Sequence, residues 1–150
     1  MIFKEYKGLV KYWLTFNEIN GTMMVLNMFG HKATDAEAQK SLQHLHNQFV
    51  ASARAVRIGH EIDPNYMIGC MICGIMLYPG TCDPADILER SHQMEQNLFY
   101  CSDVQCRGKY GTYAKRIWKE YNVELDITEQ DIIDLENGKM DLYTFSYYQS

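Results

Sequence analysis

The apolar run from Met67 to Leu77 constrains the fold of this chain more than any other feature of its sequence. Each of its residues is apolar or a glycine, and the turn Tyr78-Pro79-Gly80 follows it. A strand of this composition is typical of a parallel sheet, whose strands are covered on both faces. Because parallel strands are joined by crossovers that are usually helical, the run predicts an α/β fold with helices packed on the sheet.

Two further strands are predicted, one near each end of the chain. Val10–Phe16 is rich in β-branched and aromatic residues and ends abruptly at Asn17-Glu18, and the last strand covers Met140–Tyr148. The three strands supply the sheet that the apolar run requires.

The helices between the strands are predicted from caps and from apolar periodicity. The longest runs from Thr34 to about Glu61, with capping-box spacing between Thr34 and Glu37. Its buried face is marked by apolar residues three and four positions apart, namely Leu42, Leu45, Phe49, Val50, Ala53, Val56 and Ile58. Later helices are expected at about Ala85–Tyr100, at Gly111–Tyr121, and from the cap Thr128 to Asn137-Gly138. The segment Met23–Phe29 stays open between a helical turn and an irregular loop.

The order of elements is strand, helix, strand, helices and strand, in one folding unit that covers residues 1–150. Three strands do not close a barrel, and a complete βα barrel typically has about 250 residues. The sequence therefore predicts either a small open α/β domain or part of a larger barrel.

Composition and charge exclude several classes of function. The formal net charge is -5, from 14 Lys and Arg against 19 Asp and Glu, so no nucleic-acid surface is expected. No apolar stretch approaches the ~20 residues of a membrane helix, and the start of the chain has no signal-peptide pattern. We expect a soluble, intracellular protein without membrane contact.

The cysteines indicate neither disulfides nor a metal site. They are five, an odd number, and Cys70 and Cys73 are three apart on the predicted strand. Side chains at that spacing point to opposite faces, with Cα atoms about 10 Å apart, beyond the ~7 Å limit of a disulfide. Reduced, apolar cysteines are the expectation, and a redox or zinc protein is the disfavoured alternative.

Polar side chains lie at the carboxyl ends of all three predicted strands, and Glu18 stands out among them. Reacting groups of parallel α/β proteins gather where the strands end, and here Asn17-Glu18, Tyr78 and Tyr147-Tyr148 occupy those positions. A carboxyl group directly after an aromatic strand suits general acid catalysis. The Asn17 amide offers a donor and an acceptor that can orient a hydroxyl group. On this local pattern alone, a solvated strand end is favoured over a catalytic acid.

The amino-acid sequence around Glu18 favours the catalytic interpretation. Tyr12–Asn20, with Thr15-Phe16-Asn17-Glu18 at its centre, resembles the acid/base strand of glycoside hydrolase family 1, the retaining β-glycosidases with a (βα)8 barrel. Further segments, in the same order, resemble the 6-phospho-β-glucosidase branch of that family: Val50–Met71, Tyr78–Asp86, Asp103–Tyr110 and Met140–Tyr148. The resemblance implies a partial (βα)8 TIM barrel of about three parallel strands, similar to strands four to six, with crossover helices.

The resemblance also implies roles for three residues. Glu18 matches the general acid/base, Asn17 the residue that binds the sugar 2-hydroxyl, and Tyr148 the tyrosine that touches the nucleophile carboxylate. The implied substrates are 6-phospho-β-glucosides such as phosphorylated cellobiose, arbutin or salicin, with no cofactor and no metal. The implied compartment is the cytoplasm, where those substrates appear.

The chain departs from the family pattern at the second carboxylate. Retaining glycosidases use two carboxylates about 5–5.5 Å apart, and the family's nucleophile motif, Thr-Glu-Asn-Gly, does not occur here. Between Asn20 and Gln48 the chain also departs from the usual pattern. We therefore expect a fragment that is inactive by itself. The alternative is a non-catalytic α/β module that forms homo-oligomers through its exposed strand edges.

Overall fold

A parallel, three-stranded sheet forms the centre of the computed structural model, which describes residues 2–26 and 32–148. The strands are β1 (Tyr12–Leu14), β2 (Met67–Gly74) and β3 (Leu142–Tyr147), and their order in the sheet is β1-β2-β3. Trp13 pairs with Ile68 and Cys70 pairs with Tyr143. The prediction of three parallel strands with helical crossovers is confirmed.

Helices connect these strands and cover one face of the sheet. Their bounds are α1 (Ile2–Glu5), α2 (Gly21–Met24), α3 (Asp35–Ile62), α4 (Pro84–Met94), α5 (Tyr100–Arg107), α6 (Ala114–Glu120) and α7 (Glu129–Asn137). A π-helical turn, Glu95–Phe99, joins α4 to α5. No helix among the described residues is long and apolar enough to cross a membrane.

Several predicted bounds need correction. The helix expected at Ala85–Tyr100 continues through the π-helical turn to Arg107. The first strand is shorter than predicted, because the chain bends at Thr15 after a last ladder bond from its N–H to the Gly69 carbonyl. Helix α1 carries too few residues for periodicity to reveal it. Of the open segment Met23–Phe29, α2 includes the first two residues, and positions 27–29 lie outside the described residues.

Helix α3 forms as its sequence predicts. The Thr34 hydroxyl accepts a hydrogen bond from the Glu37 N–H, and the Glu37 carboxylate accepts one from the Thr34 N–H, which completes the capping box. Most of the predicted apolar face is buried, including Leu42, Leu45 and Phe49. These α3 side chains belong to the same apolar core as Cys70 and Ile72 of β2.

The two faces of β2 differ in burial, which corrects the expectation of a strand covered equally on both sides. Ile68, Cys70 and Ile72 are fully buried against the helices, whereas Met71 and Cys73 on the other face are half-buried. Cys70 and Cys73 thus lie on opposite faces, as predicted, and both are free thiols.

Polar groups join α3 to α7 at what we call the α3–α7 interface, formed by Arg54 and Arg57 on α3 with Asp134 and Gly138 at the end of α7. Asp134 is 4% exposed and accepts from Arg54 Nε at 2.6 Å, with Arg57 Nη1 at 3.5 Å. The Arg54 hydrogen bond holds the pKa of Asp134 below its usual range, although burial acts in the opposite direction. Gly138 packs directly on the Ala53 backbone. The interface thus pairs its buried charge and leaves no room for a side chain at Gly138.

Candidate active site

Glu18 lies in the loop that follows β1, at the carboxyl edge of the sheet. Its backbone is left-handed, with φ 48°, a conformation uncommon for residues other than glycine. A turn closes there, because the Gly21 N–H donates to the Glu18 carbonyl at 2.9 Å. Left-handed residues of this kind cost about 1–3 kcal/mol and persist when their surroundings hold them, often at functional sites.

Tyr148, the first residue after β3, contacts Glu18 directly. Its hydroxyl donates to Glu18 Oε1 at 2.5 Å, across 130 positions of sequence. Bonds from a hydroxyl to a carboxylate are among the shortest and strongest in proteins. This hydrogen bond raises the pKa of Tyr148, since an ionised phenol would face a carboxylate. Two of the three predicted site residues thus form one cluster.

Asn17, the third predicted site residue, is adjacent to Glu18 in the same loop. Its side chain is exposed, whereas Glu18 is half-buried. Tyr147, also expected at this edge, is the exposed last residue of β3. Tyr78 lies beyond β2 and lines a cleft of about 270 Å³ with Asp86 and Arg90. The carboxyl ends of all three strands therefore present polar groups at the same edge of the sheet.

Asn20 is a residue of this region that the sequence pattern did not single out. Its side chain is fully buried and bonds to the backbone of Cys73 and of Asn97. The available signal was a polar residue between the apolar Ile19 and Met23, which are both buried. A buried amide in such a position needs partners, and here they come from two other elements of the fold.

The segment most similar to the Thr-Glu-Asn-Gly motif does not bring a second carboxylate to Glu18. That segment, Glu136-Asn137-Gly138, closes helix α7 just before β3. It therefore lies towards the amino ends of the strands, whereas Glu18 lies at their carboxyl ends. Glu136 is exposed there.

The described residues contain no group of three or more His, Cys, Asp or Glu side chains that could hold a metal ion. Cys73 lies near Glu18, and burial raises the pKa of its thiol, with a smaller contribution from the Glu18 charge. The neutral thiol is therefore the favoured form of Cys73 beside the Glu18 carboxylate.

Similarity to known proteins extends over the whole chain. The family model described as glycosyl hydrolase family 1 matches residues 1–150. The chain is 45% identical over 152 residues to a 6-phospho-beta-glucosidase of Clostridium longisporum, covering 99% of this chain and 32% of the relative. It is 42% identical over 153 residues to the aryl-phospho-beta-D-glucosidase BglH of Bacillus subtilis, with the same coverage of 99% and 32%.

Solved structures agree on the fold. A beta-glucosidase from Exiguobacterium marinum matches with a TM-score of 0.74 at 20% identity, covering 95% of this chain and 33% of that one. A family 1 b-glucosidase from Thermotoga maritima matches with a TM-score of 0.72 at 22% identity, covering 96% and 32%. The chain spans about a third of the length of the relatives that it matches. The prediction of a partial (βα)8 barrel is confirmed.

Proposed function

The chain belongs to glycosyl hydrolase family 1, and on that premise we propose that it supplies the acid/base part of a retaining 6-phospho-β-glucosidase. The observation that carries the proposal is the Glu18–Tyr148 contact at the carboxyl edge of the sheet. The proposed substrates are 6-phospho-β-glucosides such as phosphorylated cellobiose, arbutin and salicin. The names of the relatives, phospho-β-glucosidases at 38–45% identity, support this substrate class.

Glu18 would act twice in the proposed double displacement. As an acid it gives its proton to the glycosidic oxygen while a nucleophile carboxylate attacks the anomeric carbon, so that the aglycone leaves as a neutral alcohol. As a base it then takes a proton from the water that attacks the glycosyl intermediate, which frees the nucleophile and restores the Glu18 carboxyl group. Asn17 would bind the sugar 2-hydroxyl from the adjacent position. Tyr148, whose hydroxyl donates to Glu18 in this chain, would donate to the nucleophile carboxylate when that group is present.

The 150-residue chain is proposed to be inactive by itself. The mechanism requires a second carboxylate about 5–5.5 Å from the first, and the chain has no Thr-Glu-Asn-Gly segment to provide it. No cofactor is needed, since both steps are proton transfers and displacements at carbon. A charged sugar phosphate does not cross a lipid bilayer unaided, so the proposed compartment is the cytoplasm.

A chimera tests the function directly. The matching third of the Clostridium longisporum 6-phospho-beta-glucosidase is replaced by this chain, and hydrolysis of a chromogenic 6-phospho-β-glucoside is measured. We expect turnover in the chimera and a 10²–10⁴-fold lower kcat in its Glu18→Gln form, the usual contribution of general acid–base catalysis.

The control in the chimera is Glu136→Gln, which removes an exposed carboxylate at the other end of the strands and should leave kcat unchanged. A folded chimera without turnover, or one whose turnover survives Glu18→Gln, would contradict the proposal. Turnover by the 150-residue chain alone would contradict its proposed inactivity.

Self-association is a second candidate function, favoured by the exposed side chains of the outer strands. On β3, Phe145 and Tyr147 are 58% and 56% exposed, and on β1 Tyr12 is 66% exposed. Open strand edges with apolar side chains are prone to pair with further strands. Homo-oligomerisation through these edges is therefore proposed for the separate chain.

Sedimentation velocity at micromolar concentration tests this second candidate. We expect a concentration-dependent oligomer that Phe145→Lys dissociates. The matched control is Ile132→Lys, which changes a residue of α7, 49% exposed and away from the strands. A monomer over the whole concentration range would contradict the proposal.

A further inference from the structure

We propose that Asn20 is the positioning residue of the acid/base loop: it ties the loop to β2 and to the π-helical turn, and thereby holds the Glu18 carboxylate against Tyr148. The inference rests on the proposed function for its catalytic meaning, but its structural content is independent of it. Asn20 is fully buried, so it is placed to act through Glu18 and not by contact with a substrate.

The Asn20 side chain makes three hydrogen bonds to the backbone of two neighbouring elements. Its Nδ2 donates to the Cys73 carbonyl at 3.0 Å and to the Asn97 carbonyl at 2.8 Å, and its Oδ1 accepts from the Cys73 N–H at 2.8 Å. An asparagine amide has two N–H donors and one carbonyl acceptor, so one side chain satisfies three backbone groups at once. Truncating it would leave those three groups without these partners, and unpaired buried polar groups are strongly disfavoured.

The position of Cys73 explains why this link bears on the sheet edge. Cys73 is the penultimate residue of β2, the central strand, and pairs with Ser146 of β3. A bidentate contact with its N–H and carbonyl therefore fixes the loop after β1 relative to the strand that also positions β3. Tyr148 follows β3 by one residue, so the same frame sets both partners of the Glu18–Tyr148 bond.

The π-helical turn provides the third point of attachment. Such turns are rare, and they occur frequently at functional sites. This one is itself held by α6, because Arg116 pairs with Glu95 at 2.7 Å and Gln96 donates to the Tyr121 hydroxyl at 3.1 Å. The Asn97 carbonyl is thus presented to Asn20 from a fixed segment.

The left-handed backbone of Glu18 shows why the loop needs to be held. Residue Glu18 has φ 48°, and its two successors, Ile19 and Asn20, are buried. Ile19 packs in the apolar core, and Asn20 makes the polar links. An unfavourable backbone conformation persists when the surrounding structure holds it in place. The hydrogen bonds of Asn20 are the directional contacts that hold this loop.

The test in the chain itself measures the Glu18–Tyr148 contact by NMR. Tyrosine is labelled at the ring carbon that bears the hydroxyl, Tyr148→Phe assigns its signal, and Glu18→Gln defines the titration expected without the carboxylate charge. In Asn20→Ala we expect the Tyr148 titration to move towards its position in Glu18→Gln, and the cross-peaks between the Tyr148 ring and the Glu18 side chain to disappear.

Two further variants complete this test. Asn137→Ala is the matched control, because Asn137 also donates from its amide to a backbone carbonyl, that of Ile133, but on exposed α7; it should leave the Tyr148 signal unchanged. If Asn20→Ala does not fold, Asn20→Asp replaces it, since its carboxylate still accepts from Cys73 but donates to neither carbonyl. An unchanged Tyr148 titration and unchanged cross-peaks in either folded Asn20 variant would overturn the proposal.

Kinetic measurements on the chimera distinguish the positioning of Glu18 from a purely structural role of Asn20. We expect Asn20→Ala to lower kcat by about 10–100-fold with little change in KM, because displacement of a catalytic group by about 1 Å can cost 10²-fold in rate. A rise in KM at constant kcat would overturn the positioning role. An inactive chimera would contradict the proposed function, whereas the NMR measurement would still decide whether Asn20 holds Glu18.

Discussion

The α3–α7 interface and the Glu18 loop both bring polar groups together across long sequence distances, but they do so in opposite ways. At the interface, the Asp134 carboxylate is buried, accepts a hydrogen bond from Arg54 and forms an ion pair with Arg57. In the loop, Glu18 is half-buried, its backbone is left-handed, and Tyr148, which bonds to it, is 69% exposed. The interface buries its carboxylate and pairs it with arginines, whereas the loop leaves its carboxylate accessible to solvent.

The difference indicates that opposite ends of this sheet serve stability and chemistry. In βα barrels, residues at the carboxyl ends of the strands serve catalysis, whereas the amino-terminal face serves stability. Helix α7 ends just before β3, so the interface meets the amino ends of the strands, and Glu18 lies at the other end. We therefore expect substitutions at the interface to change unfolding. Substitutions of the solvent-accessible groups of the site, Glu18 and Tyr148, should change the site with little effect on unfolding.

The largest effect on stability is expected from Gly138→Ala. A Cβ at this position would overlap the backbone of Ala53, which has no side-chain freedom to move away. Overpacking of this kind costs about 1–3 kcal/mol and occasionally more, and we expect the upper end of that range, measured by urea denaturation.

Gly21→Ala is the control for that substitution in the Glu18 loop. Nothing lies within 4 Å of a Cβ at Gly21, and the residue begins helix α2. Alanine is favoured over glycine in helices by up to about 1 kcal/mol, so stability should stay equal or rise slightly. Equal losses in the two variants would break the contrast between the regions.

Asp134→Asn is expected to have an intermediate effect at neutral pH. It removes the charge that Arg54 and Arg57 face, and hydrogen bonds to charged groups contribute about 1.5–3 kcal/mol. Because the pKa of Asp134 is lowered in the folded protein, its contribution is present above the unfolded carboxyl pKa near 3.9 and is lost as the pH falls through the folded value.

Urea midpoints measured from pH 7 to pH 2 check the sign of this dependence. The difference between the original chain and Asp134→Asn should shrink as the pH falls through the acidic range. Glu136→Gln, an exposed position of the same helix, should show no such pH-dependent difference. A difference for Asp134→Asn that stays constant down to pH 2 would show that its charge is not what stabilises the interface.

Tyr148→Phe is expected to have the smallest effect on unfolding. The substitution removes one hydroxyl from an exposed ring, together with its bond to Glu18. Thermal unfolding should show no measurable shift of the midpoint, although the Glu18 environment changes. A clear loss of stability would mean that the Glu18–Tyr148 bond is a structural link like those of the interface.

Local sequence patterns predicted most of the framework of the fold. The capping box at Thr34 and the three- and four-residue spacing of apolar residues place α3 to within one or two residues, because caps and periodicity act within one turn of helix. The π-helical turn and the continuation to Arg107 escaped prediction, since a π-helical turn changes the helical period without a breaker residue.

The candidate site was predictable in part for the same reason. Glu18 and Asn17 stand out because they follow a strand directly, and Tyr148 because it ends another predicted strand. The family resemblance raised all three above the many polar residues at strand ends. Asn20 carries no comparable local signal, and its partners Cys73 and Asn97 are 53 and 77 positions away.

The sequence by itself determined which segments become strands and helices, their order, and the residue types available at the carboxyl edge, because these depend on interactions over a few residues. Only the tertiary structure decided that Tyr148 meets Glu18 across the sheet and that Asn20 joins the loop to β2 and the π-helical turn. Hydrogen bonds between distant residues require atoms to meet within about 3 Å, and that proximity arises from the packing of whole elements, which no local pattern encodes.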